Sequence, residues 1–267
     1  RCGSAEGDDV RVLGCDVGNY SIIPDVWRVT ALRALGIDFA IVGTSYGTVS
    51  AGQLAAFKAG GMDVSEYQFP EALRATVRPW YVDAELPTAG LDRLRNALRI
   101  GSQGPYTRRG WALDNLPGWD CRAEFPNAKL WDARYVHGDG ACLIQNAENG
   151  TGLHTIADAI LEELSWLTPF VPYWGFTEAA ITQWHNSVTI AGVNLDLNVM
   201  EVKEEEAMRP FLAWCVEEGR AYFVTSDFAR YIPYPAVLNE LAALFGVDPV
   251  AKVVITPDAV RTLNGTP

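Results

Sequence analysis

Residues 80–87 read WYVDAELP, an apolar and aromatic run that carries two carboxylates, Asp83 and Glu85. Successive side chains of a β-strand point to opposite faces, so residues two apart share a face and both acids project together. On the solvent side of an edge strand such a pair would be ordinary. At the end of a buried parallel strand, where a carboxylate is costly unless it has a task, it points to a reaction centre.

The flanking sequence makes the buried setting the expected one. "VRVLGCDV" (10–17), "DFAIVGT" (38–44) and "MDVSEYQF" (62–69) read as strands, separated by helices over 23–36 and 50–61 that close on glycine. A helix over 88–99, a short "GPYTRRGW" strand region and a strand over 128–136 follow, and a loop-rich insertion over 137–178 contains one amphipathic helix, "IADAILEELSWL". Two adjacent strands, "AITQWHNSVTIAG" and "VNLDLNVMEV", complete the set. Strand–helix alternation implies parallel pairing with right-handed crossovers. The fold expected is α/β: a modified TIM-type β/α barrel over residues 1–202 with a helix-poor second half, and a small C-terminal α/β appendage over 203–267.

The chain has 267 residues, 49% of them hydrophobic, enough to bury a large single core. Its net charge of −12 argues against a surface that grips phosphate backbones, so nucleic acid is not an expected partner. No run approaches the roughly 20 apolar residues of a membrane-spanning helix. Five cysteines, at 2, 15, 121, 142 and 215, form no CxxC pair and have no ligand spacing to His137, His154 or His185; neither a metal nor a cofactor is expected. Cys121 and Cys142, both in loop-like segments, could form a disulfide in an oxidising compartment.

In a parallel barrel the C-terminal strand ends gather at one mouth, where such folds place their chemistry. Four acids fall at those ends: Asp16 in "GCDVG", Asp83 and Glu85 in "VDAEL", and Asp196 in "NLDLN". Carboxylates gathered in partly apolar surroundings raise one another's pKa and leave a proton donor beside ionised neighbours, the requirement for cleaving a glycosidic bond. Tyr67, Trp80, Tyr106, Trp111, Trp131, Tyr135 and Trp184 lie on or just after the same strands and offer flat apolar faces to sugar rings. Taken singly, a tryptophan is usually core and a strand-end aspartate usually a helix cap; the joint pattern carries the functional reading.

The segments "LGCDVGNY", "IDFAIVGTSYG", "SEYQF", "WYVDAELP", "GPYTRRGW", "KLWDARY" and "QWHNSV…VNLDLNVM", in this order, resemble the glycoside hydrolase family 25 lysozymes over roughly residues 11 to 200. The resemblance implies a barrel that cleaves the N-acetylmuramic acid to N-acetylglucosamine bond of peptidoglycan, with Glu85 as general acid, Asp83 as its partner, Asp16 and Asp196 as flanking carboxylates and Tyr67 lining the cleft. It implies a peptidoglycan or related acetylated glycan as partner, no cofactor, an endolysin-like role, and action outside the cell or with a phage particle. This sequence departs from the family pattern at Gly18, where the family has Ser, and at Trp184-His185-Asn186, where it has Trp-Gln-Tyr.

Two other readings compete. "GTSYG" (43–47) matches the G-x-S-x-G nucleophile elbow, which would make Ser45 the nucleophile of a serine esterase with His154 or His185 as its base. Alternatively the barrel is a non-catalytic glycan-binding or structural module.

Overall fold

The computed structural model of the chain describes residues 9–18, 21–45, 49–85, 90–136, 142–152 and 154–203. Strands β1 (Asp9–Val17), β2 (Ile37–Gly43) and β3 (Asp63–Gln68) alternate with helices α1 (Val26–Ala34) and α2 (Val49–Ala59). The Asp25 side chain caps α1 by accepting the Arg28 N–H, and Gly36, at φ +81, supplies the left-handed residue that ends it. β4 (Trp80–Asp83) follows β3 with no helix between them. Then come α3 (Leu91–Arg99), β5 (Pro105–Thr107), α4 (Arg109–Asn115), α5 (Cys121–Glu124), β6 (Trp131–Ala133), α6 (Leu143–Glu148) and α7 (Ile156–Ser165). The hairpin of β7 (Ile181–Ile190) and β8 (Val193–Lys203) completes the order.

β1 to β7 pair with their sequence neighbours in parallel. β8 runs antiparallel to β7, and the eight strands close into a barrel. By internal contacts the chain divides into two units, of which the barrel unit is Arg11–Glu201. The appendage expected over 203–267 lies, apart from Lys203, outside the described residues.

Period-two alternation sorts the side chains. Phe39, Ile41, Tyr81, Trp131 and Ile181 fill the barrel interior with Tyr67 and Tyr106 against them. Cys15, Val17, Ala40, Val42 and Trp184 face outward into one helix-covered cluster, and Trp80 and Val82 into another. Each large side chain removed from water contributes about 1.5–3 kcal/mol. The interior is shaped by close approach: a Cβ on Gly43 would lie 2.6 Å from the Tyr67 ring, so only glycine there lets Tyr67 point inward.

Where β3 joins β4 without a helix, a buried carboxylate ties the connection down. Glu66 accepts from Thr44 Oγ1 at 2.9 Å, Thr76 Oγ1 at 2.7 Å and Arg78 at 3.2 Å. The strand expected over 128–136 is reduced to three residues, although Arg134 N and Val136 N still donate to the carbonyls of Gln183 and Trp184. Among the described residues no helix is long and apolar enough to cross a membrane. The disulfide raised as an option for Cys121 and Cys142 is absent: both thiols are free, because one is packed beside Trp119 and Trp174 while the other faces His185.

Candidate active site

The parallel strands bring Asp16 and Asp83 to the same end of the barrel, each on the inward side of its strand. Glu85 follows two residues after Asp83, and its backbone N–H donates to Asp83 Oδ1 at 2.9 Å, fixing the carboxyl that precedes it. Glu85 Oε1 accepts from Arg108 N at 2.8 Å and lies 3.2 Å from the Arg108 guanidinium. Asp196 enters from β8: its Oδ2 accepts from Gln183 Nε2 at 2.6 Å and its Oδ1 from Ser187 N at 2.5 Å. Asn198, also on the inner face of β8, donates to Asp16 Oδ2 at 2.7 Å and accepts from Trp131 Nε1 at 2.8 Å.

The electrostatics follow from that crowding. Burial pushes the Asp83 carboxyl up from 3.8 to about 7; the Glu85 N–H opposes this, and the charges of Glu85 and Glu71 add to it. Asp16 rises well above the carboxylate range, first by burial and then through the charge of Asp196, against the Asn198 hydrogen bond. Burial also raises Asp196, opposed by its bonds from Ser187 and Gln183, and raises Glu85, opposed by the Arg108 N–H and guanidinium. Tyr135, pushed up to about 12 chiefly by burial, feels the charges of Glu85, Asp196 and Asp16 together. The four acids therefore form one electrostatic unit, and it holds at least one proton near neutrality.

Of the seven expected sugar platforms, four face inward and three do not. Trp131 forms a floor, with the rings of Tyr106, Tyr81 and Tyr67 at 4.4, 5.7 and 6.0 Å from it. Tyr106 donates to Gln183 Oε1 at 2.5 Å and lies 3.3 Å from the exposed Tyr135 hydroxyl. Trp80 and Trp184 are corrected to core: alternation turns both outward beneath the helices, at 5% and 0% exposure, where no sugar can reach. Trp111, on α4, packs edge-on against Trp174 at 6.5 Å, outside the carboxylate group.

Gln183, Asn198 and Arg108 were not singled out in the sequence, yet they hold the acids. Asn198 was open to inference, standing two residues from Asp196 and so on its face; Gln183 lies on β7 and Arg108 at the start of α4, and neither carries a local signal. The elbow reading fails on geometry. Ser45 is 3% exposed and its Oγ accepts from Phe69 N at 2.6 Å, while His154 faces Glu162 at 3.6 Å and His185 faces Cys142 at 2.9 Å.

Among solved structures the chain is similar to the Clostridium perfringens spore cortex lytic enzyme SleM, with 13% identity and a TM-score of 0.44 over 75% of this chain and 69% of that one. It is likewise similar to the CTP1L endolysin, with 14% identity and a TM-score of 0.44 over 74% of this chain and 69% of that one. No protein-family model matches the sequence, and no curated protein matches it.

Proposed function

We propose that the chain is a glycoside hydrolase of the cell wall, cleaving the N-acetylmuramic acid to N-acetylglucosamine bond of peptidoglycan by carboxylate acid catalysis. The observation that carries the reading is the convergence of Asp16, Asp83 and Asp196 from three strands, with Glu85 beside them, where burial and mutual repulsion keep a proton available. Glu85 reaches toward solvent through an 18% exposed side chain and is the group placed to protonate the leaving oxygen. Asp83, behind it and bound to its N–H, favours holding the resting proton, so the two act as a pair that shares one proton.

Asp196, fixed by Gln183 and Ser187, stabilises the positive charge that develops at the anomeric carbon, while Asp16, held by Asn198 and raised well above the carboxylate range, stays protonated beside it. The substrate's own N-acetyl oxygen serves as nucleophile, and water then opens the resulting ring. Tyr106 and Tyr135 line the inner wall that the sugar meets, with the buried Trp131 packed behind Tyr106 as its support. An enzyme of this kind works outside the cell or with a phage particle.

Reducing-end release from purified peptidoglycan tests the assignment. The wild type is expected to act with a mildly acidic to neutral optimum, and Glu85→Gln to lose about 10²–10⁴-fold in kcat. Full activity in Glu85→Gln with loss only in Asp83→Asn would reverse the two roles, and no release by the wild type would leave a binding module.

A further inference from the structure

On the outer side of the barrel wall, away from the four acids, three metal-ligating side chains meet. Cys142 Sγ lies 2.9 Å from His185 Nε2, and Glu163 Oε2 lies 3.6 Å from the same nitrogen. One ligand atom from each residue falls within 4.8 Å of the others. They arrive from separate elements: Cys142 is the N-cap of α6, Glu163 sits on α7, and His185 lies on β7 where the pairing register with β8 shifts. Glu163 is 0% and His185 4% exposed, so a carboxylate and an imidazole have been taken out of water together.

The ordinary account of such a trio is a hydrogen-bonded polar cluster, and part of it is that. Ile144 N donates to Glu163 Oε1 at 3.1 Å and Gln145 N to Cys142 Sγ at 3.2 Å. The histidine goes further. Its Nδ1 lies 3.0 Å from the Asn186 carbonyl, which can only accept, so Nδ1 carries a hydrogen and Nε2 is the ring nitrogen turned toward Cys142 and Glu163. A ring nitrogen pinned by a carbonyl on its far side is the arrangement in which imidazole ligates metals. Thiolate, imidazole and carboxylate together suit zinc rather than the oxygen-seeking calcium or magnesium.

We infer that Cys142, Glu163 and His185 bind one zinc-class ion that fastens α6 and α7 to the outside of β7. Bonds of about 2.3 Å to sulfur and about 2.0–2.1 Å to nitrogen set a tetrahedral S···N separation of roughly 3.6 Å, so the sulfur shifts outward by less than about 1 Å on binding. A water completes the tetrahedron beside the partly exposed Cys142.

The test is independent of glycan cleavage. Protein purified without chelator should carry about one zinc per chain by elemental mass spectrometry. Metal-free protein titrated with cobalt(II) should develop a near-ultraviolet thiolate-to-metal charge-transfer band. Cys142→Ser should abolish the band, and His185→Gln should weaken zinc binding at least ~100-fold against a chromophoric chelator, with the near-ultraviolet circular dichroism unchanged. A wild-type titration with no such band, or zinc affinity equal in wild type and folded variants, overturns the proposal. The wild-type titration decides this even if a variant fails to fold.

Discussion

Asp83 couples the chemistry of the cleft to the stability of the barrel. Its carboxyl titrates near 7 in the folded chain against 3.8 in a free side chain, because burial penalises the charge. The folded state thus binds this proton more tightly than the unfolded one. The associated stability is fully present below pH about 4 and is lost as pH rises through about 7, amounting to at most about 4 kcal/mol. Asp83→Asn keeps an acceptor for the Glu85 N–H and removes the buried charge. Its thermal midpoint should exceed that of the wild type at pH 8 and match it at pH 4, and scanning calorimetry at the two pH values checks this; an equal gap at both would sink the account. At this scale the acids were legible because an Asp-x-Glu pair in an apolar strand is conspicuous. The aromatics were legible only as a set: alternation from Asp83 already turns Trp80 to the opposite face, whereas the face of Trp184 depends on the register shift in β7, which composition does not carry.

Between elements, side-chain networks take the place of missing helices. The connection from β3 to β4 has none, and Glu66 anchors it through Thr44, Thr76 and Arg78. Glu66→Ala leaves the buried Thr44 hydroxyl and the half-buried Thr76 hydroxyl without their acceptor and should cost about 2–3 kcal/mol in denaturant unfolding. Arg78→Ala, which removes a 38% exposed guanidinium, should cost less than about 1 kcal/mol; equal losses would place the anchor elsewhere. The long helices α1, α2 and α7 were readable from periodicity and caps. The short ones, α4, α5 and α6, with seven, four and six residues, were not, since fewer than two turns cannot display a 3.6-residue repeat. The same limit hid the cluster of Cys142, Glu163 and His185, whose members lie about twenty residues apart and are joined only by tertiary packing.

For the whole molecule, the net charge of −12 bears on how the chain meets its proposed substrate. An acidic protein and an anionic wall repel over a Debye length of about 30 Å at 10 mM salt and about 8 Å at 150 mM. Hydrolysis of intact walls should rise several-fold across that range while hydrolysis of a short neutral oligosaccharide stays level; a rate on walls that falls with salt would contradict this. The barrel itself was legible because strand–helix alternation dictates parallel closure; the reversal of the last strand was not, and Asp196, expected at the C-terminal end of a parallel strand, lies inside the antiparallel β8. That reversal has a consequence for tolerance to change. Asp16 and Asp83 end their strands, so length variation beyond them leaves each acid in place. Asp196 instead lies inside β8, four residues past the Ala191-Gly192 turn, with Leu195 and Leu197 facing the other way. A single residue added to or removed from that tight turn would swing a leucine into the sugar-facing hollow and drive the carboxylate into oil, so this two-residue loop tolerates no change of length.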